Sequence, residues 1–266
     1  MGRRRNLCAI AALALALAGC GGGGGGGSGS AGSDQISLAA AKTSKAGSIK
    51  ADFTVNGGGV QGRGSGVFNT GEKGSGQLMI TVTVGGREFK IDTVLAGTIL
   101  YMRSQAFTQL TGGKQWVKLD LGKIARRRGI DLGSLLNTSP TPTSALAYLG
   151  GSAGKVEKVG SEKVQGVDTT HYHVTVDLQR AAAHAKGSTR QSLKRLMQTS
   201  GVKKVPEDVW IDGKGFVRKV VYQSAGSGGG QKVRVTMLLH DFGPRVPIKT
   251  PPKSAVVDLM NSLGGR

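Results

Sequence analysis

Leu78-Met79-Ile80-Thr81-Val82-Thr83-Val84-Gly85-Gly86-Arg87-Glu88-Phe89-Lys90-Ile91 decides the fold. Its apolar residues recur at every second position. Leu78, Ile80, Val82 and Val84 share one face, with Met79, Thr81 and Thr83 opposite, and the same period resumes at Phe89 and Ile91. A period of two is a strand, because successive side chains leave a pleated backbone on opposite sides. Gly85-Gly86 between the runs is a two-residue hairpin signal, since the favoured turns need positive φ at their central positions. The two strands are therefore antiparallel neighbours, and the chain is not built from βαβ units.

The same period extends outward in both directions. Phe53 and Val55, Leu95, Leu100 and Met102, then Val117 and Leu119 continue it, and Gly71 to Gly74 marks a looser turn. Later come Tyr172, Val174, Val176 and Leu178, and a last long strand at Val233, Val235, Met237 and Leu239. Val209-Trp210-Ile211, the turn Asp212-Gly213-Lys214-Gly215 and Phe216 to Tyr222 make the clearest hairpin. Helical spacing appears at Asp34 to Lys42, with Asp34 or Ser37 as cap and Gly47 as stop. It appears again at Leu132, Leu135 and Leu136, and at Ala145, Leu146 and Leu149, with Pro140 and Pro142 breaking the segment between. Gln179 to Ala185 and Ser192 to Met197 read as two more helical pieces. Pro244, Pro247, Pro251 and Pro252 are expected to end the sheet, and Ala255 to Leu263 to close as a short helix. Strands, helices, strand, helices, strands: the order predicts an α+β domain with one large curved antiparallel sheet over a helical filling.

Composition narrows the function classes. The 266 residues carry 36 Lys and Arg against 16 Asp and Glu, a net charge of +20, with 5% aromatics. A hydrophobic share of 38% supports one sizeable core. Arg3, Arg4 and Arg5 precede a short apolar run, Leu7 to Ala18. In a helix that run falls well short of the ~30 Å hydrocarbon core, so it reads as a secretory signal and not a stable span. Leu17-Ala18-Gly19-Cys20 at its end resembles the bacterial lipobox, in which the cysteine is acylated, with chains such as palmitate, and the preceding segment is removed. Residues 1–19 are then a lipoprotein signal peptide. Residues 20–33 are a lipidated Cys20 followed by a flexible Gly/Ser tether, and 34–266 are the folded domain. The expected location is the extracytoplasmic face of the cell membrane, held there by acyl chains contributing ~0.8 kcal/mol per buried methylene.

Reactive chemistry has little to work with. Cys8 and Cys20 are the two cysteines, too few for a disulfide scaffold or a cysteine metal site. His171 and His173, two apart on a strand, share a face and could take zinc with Asp168 or Asp177 as a third ligand. Tyr172, Val174 and Val176 claim the opposite face for the core, so the histidines belong on the wetter side and no metal is assigned. No serine lies in a nucleophile elbow, and no helix follows Gly62-Arg63-Gly64-Ser65-Gly66 to make a phosphate loop. Glu157, Glu162, Glu207 and Asp208 show no pairing for acid–base work. No catalytic residue and no cofactor are assigned. Lys123, Arg126, Arg127 and Arg128 cluster, as do Lys186, Arg190, Lys194, Arg195, Lys203 and Lys204. Export and scarce aromatics argue against nucleic acid as their partner, leaving anionic lipid headgroups or cell-wall polyanions, or a plain solvated basic face.

Lipobox, tether, a helix feeding a meander, and then Gly166-Val167-Asp168-Thr169-Thr170-His171-Tyr172-His173-Val174-Thr175-Val176-Asp177-Leu178 before a final hairpin resemble the LppX/LprG-type lipoproteins of actinobacteria, which share a fold with LolA and LolB. The resemblance covers about Gln35 to Asp241. It implies a half-open antiparallel barrel, helices covering its mouth, and a hydrophobic cavity that binds acylated lipid or glycolipid and carries or presents it in the envelope. It implies a non-enzymatic, monomeric carrier and transfers no ligand residue one by one. The candidate wall is Phe53, Val55, Leu78, Ile80, Val82, Ile91, Tyr172, Val174 and Val235, with Leu135, Leu146 and Leu149 as the lid. Two alternatives stay open. These residues could be a packed core, and the chain could be a structural or adhesive lipoprotein holding anionic cell-wall polymer through its basic patches.

Overall fold

The computed structural model describes residues 31–70, 75–107, 111–127, 153–184, 201–224 and 232–259, with isolated positions between 190 and 198. Helix α1 (Ala31–Ser44) leads into β1 (Ser48–Gly57), β2 (Val60–Asn69), β3 (Ser75–Val84), β4 (Arg87–Ala96), β5 (Ile99–Arg103), β6 (Trp116–Asp120) and the short helix α2 (Leu121–Arg127). After 128–152 come β7 (Ala153–Val164), β8 (Val167–Asp177), α3 (Leu178–His184), β9 (Lys204–Asp212), β10 (Val217–Ser224), β11 (Val233–Gly243) and β12 (Val256–Asp258). The strands form one twelve-stranded sheet in the order β12-β6-β5-β4-β3-β2-β1-β11-β10-β9-β8-β7, so it is open, with edges at β12 and β7. Two meanders run outward from the central β1–β11 pair, in which Phe53 lies opposite Met237 and Val55 opposite Val235.

The expected α+β architecture with one large sheet is what the molecule has. Four particulars differ from the sequence reading. Helix α1 begins at Ala31, ahead of the expected start, so Asp34 sits in its first turn and favours the positive end of the helix dipole instead of capping it. Gly62-Arg63-Gly64-Ser65-Gly66, to which the sequence reading gave no element, is the middle of β2. The prolines after β11 do not end the sheet, because Val256–Asp258 pairs with β6, and in parallel, where every other pair is antiparallel. A 3-10 turn at Lys253–Ala255 and this strand replace the start of the expected C-terminal helix. The Lys118–Asp258 ion pair at 3.0 Å holds the β12–β6 contact. Leu132, Leu135, Leu136, Ala145, Leu146, Leu149 and Gly71 to Gly74 lie outside the described residues, as does most of Ser192 to Met197.

Helix α1 buries Ile36, Ala39, Ala40 and Thr43, the one-face spacing of an amphipathic helix, against the β7–β11 half of the sheet. Thr43 ties the helix down. Its hydroxyl donates to the Ala39 carbonyl at 2.7 Å and accepts from the Val217 amide at 3.0 Å. Leu178, Ala181 and Ala182 of α3 join the same cluster.

Candidate ligand-binding face

Directly opposite residues on antiparallel strands share a face, so register alone assembles the site. One row runs Tyr172, Val209, Val220, Met237, Phe53, Gly64, Ile80, Ile91 across β8, β9, β10, β11, β1, β2, β3 and β4. The next runs Val174, Glu207, Tyr222, Val235, Val55, Gly62, Val82, Phe89 across the same strands. Leu78 lies in a third, with Ala51, Gly66, Thr93 and Met102. All nine described wall candidates therefore fall on one face. The face is not uniformly covered. Tyr172 and Val174, under α1 and α3, are 4% and 0% exposed, and Phe53, Leu78, Val82 and Val235 are also buried. Val55, Ile80, Ile91, Leu95, Leu100 and Met102, toward the β6 edge, stay half-buried. The lid candidates Leu135, Leu146 and Leu149, and Cys20, lie outside the described residues.

The glycines of β2 let β3 approach this face closely. A Cβ on Gly64 would stand 2.7 Å from the Met79 carbonyl oxygen, and one on Gly66 2.5 Å from that of Gln77. These are backbone atoms that cannot swing aside, so β2 and β3 approach as they do because the inward positions of β2 carry no side chain. Phe53 and Phe68 fill the space beside them in an edge-to-face contact at 6.0 Å.

Glu207 is the member of this face that sequence reasoning set aside. It lies half-buried on this face between Val174 and Tyr222, and the loss of water around its carboxyl raises its pKa to about 8. Desolvation first, and the nearby Glu207 second, push the Tyr222 hydroxyl up to about 12. The signal was available: Val205, Glu207, Val209 and Ile211 alternate, which places an acid at an inward position.

On the outer face of β8, His171 and His173 sit where the strand period puts them. Their partner is neither Asp168 nor Asp177 but Asp208 of β9, whose Oδ1 accepts from His171 Nε2 at 3.0 Å and His173 Nδ1 at 3.1 Å. Burial opposes ionisation of Asp208, yet the two hydrogen bonds outweigh it and hold its pKa below the ordinary aspartate value. His171 stacks on Trp210 at 4.2 Å, and Trp210 Nε1 donates to Glu162. Among the described residues, no group of three or more His, Cys, Asp or Glu side chains could hold a metal ion. Two open clefts flank α1. One of about 390 Å³ is lined by Gly32, Gln35, Val156, Lys158, Thr170 and Tyr172, and one of about 410 Å³ reaches the β9–β10 turn. Both mix polar and apolar groups.

No family model matches the sequence. An uncharacterized protein of Streptomyces griseus is 28% identical over 239 residues, covering 84% of this chain and 77% of that protein. A candidate lipoprotein of Streptomyces coelicolor is 25% identical over 252 residues, with 88% and 77% covered. Among solved structures, LprF from Mycobacterium bovis superposes with a TM-score of 0.52 at 14% identity, covering 85% of this chain and 99% of LprF. The chain has the fold of the LppX/LprG-type lipoproteins. The lipoprotein LppX of Mycobacterium tuberculosis also aligns, with a TM-score of 0.47 at 12% identity over 82% of this chain and 96% of its own. That likeness bears out the fold expected from the sequence resemblance. Among the described residues, no helix is long and apolar enough to cross a membrane.

Proposed function

We propose that this chain is an exported lipoprotein, anchored at the membrane surface through acylated Cys20, that takes acyl chains of a lipid or glycolipid onto the concave face of its sheet and carries or presents them in the envelope. The observation that carries the reading is the uneven cover of that face. Its β7–β11 half is packed under α1 and α3 except at Glu207 and Tyr222, which stay half-buried, as do Val55, Ile80, Ile91, Leu95, Leu100 and Met102 on the other half. An acyl chain needs only apolar wall, at ~25 cal/mol per Å² removed from water, and no reactive group. The relatives' lipoprotein names and the lipobox at Leu17 to Cys20 support the anchored, non-catalytic part of the reading. Basic side chains would serve the approach to anionic membrane at about 1 kcal/mol per cation near the surface.

Native mass spectrometry of the full chain carrying Cys20→Ser, so that its own anchor does not compete, tests the reading. A lipid-sized adduct released by organic solvent is the expected result. A bare mass that persists after incubation with lipid vesicles would overturn it and favour the cell-wall-polymer alternative.

A further inference from the structure

A carboxyl on an apolar sheet face calls for a reason, because a polar group withdrawn from water without a hydrogen-bond partner destabilises the fold. Glu207, half-buried on this face and largely desolvated, is such a group. Its row neighbours are Val174 on one side and Tyr222 on the other, with Val235 and Val55 beyond. Desolvation is the cause of its raised pKa, and among the described residues no hydrogen bond or ion pair reaches its carboxyl. The group coupled to it is the Tyr222 hydroxyl, one strand away. With values of about 8 and about 12, both groups hold their protons at neutral pH, and each offers an O–H donor.

Two neutral O–H donors on an apolar wall complement one lipid atom best. A bare hydrocarbon chain would leave both unsatisfied. A cation would have to ionise the acid first, and a phosphate would bring a full charge into the apolar row. An acyl carbonyl oxygen has lone pairs, no proton and no net charge, and it sits at the head of the chain that the wall would hold. We propose that Glu207 and Tyr222 are the polar anchor of the acyl site, donating hydrogen bonds to the ester carbonyl of a bound acylated lipid. This deepens the acyl-chain reading and rests on it.

The test compares dipalmitoylglycerol with its ether counterpart dihexadecylglycerol, which has the same chains and no carbonyl. Each is presented in vesicles of ether-linked phosphatidylcholine to the full chain carrying Cys20→Ser, and uptake is read by native mass spectrometry. The wild-type face should prefer the ester by about five- to tenfold, the range of one or two hydrogen bonds. Glu207→Leu should abolish the preference while still taking up the ether, and Glu207→Gln, which keeps a donor, should retain most of it. Equal uptake of ester and ether, or a preference that survives Glu207→Leu, would overturn the anchor and leave the acyl-chain reading standing. Uptake of neither lipid would overturn both. The ester–ether comparison needs no variant, so it stands even if Glu207→Leu does not fold.

Discussion

Glu207 also makes a prediction about stability, and its sign follows from the direction of the shift. Below pH 4.5 the carboxyl is protonated in both folded and unfolded chains. Between 4.5 and about 8 the unfolded chain releases its proton while the folded one keeps it, so folding stability drains away as pH rises through this window and levels off above it. Tyr222, raised to about 12, stays neutral throughout. Urea unfolding of wild type and Glu207→Gln from pH 4.5 to 8 should therefore show the wild type losing stability relative to the variant, by a few kcal/mol at order of magnitude. Parallel curves would refute the raised pKa of Glu207. The inward position of Glu207 was legible from its strand period, but its isolation was not, because the strands on either side of β9 are identified by register, which one sequence does not display. The histidines divide the same way. Their outward face was legible, whereas Asp208, which unites them, comes from the neighbouring strand.

Elements were legible where period and turn chemistry agree. The β9–β10 hairpin has both, and Asp212 shows why its turn holds. The aspartate, with its side chain 2% exposed, accepts from the Lys214 and Phe216 amides at 2.9 Å each and from Arg218 Nε at 2.7 Å. Asp212→Ala leaves a mostly buried guanidinium and two amides without their acceptor, and should cost about 3–5 kcal/mol in urea unfolding, with Asp212→Asn milder because an amide oxygen remains. Strand β2 was illegible for the opposite reason. Glycine has poor strand propensity and no side chain to show a period, and it is used here because β3 crowds the inward positions. Gly66→Ala should destabilise by about 1–3 kcal/mol, since its Cβ would press on the Gln77 carbonyl. Gly213→Ala, with open space where the Cβ would go, should change stability little. A comparable loss at both would mean that the effect is backbone entropy and not the close approach. Strand β12 was hidden by its brevity, three residues whose partner strand lies far back in the chain.

At the scale of the whole molecule, two forces would act on the proposed encounter with membrane, and they separate experimentally. A net charge of +20 acts over a Debye length of ~10 Å at 0.1 M salt, so it governs approach to an anionic surface and fades as salt rises. The proposed acyl uptake onto the sheet face would be an apolar transfer, indifferent to screening at these concentrations. Vesicles containing phosphatidylglycerol should therefore capture the Cys20→Ser chain at low salt and release about nine-tenths of it between roughly 0.05 and 0.5 M salt, by co-sedimentation. Over the same range, the fraction of released protein carrying a lipid adduct should hold steady once equilibrium is reached. Loading that falls in step with capture would mean that the ligand is held through its charged headgroup, and the concave face would lose its role as the seat of binding. Loading that persists after release places the affinity in the apolar rows around Phe53, Ile80 and Ile91, with the cations setting the rate at which donor membrane is found.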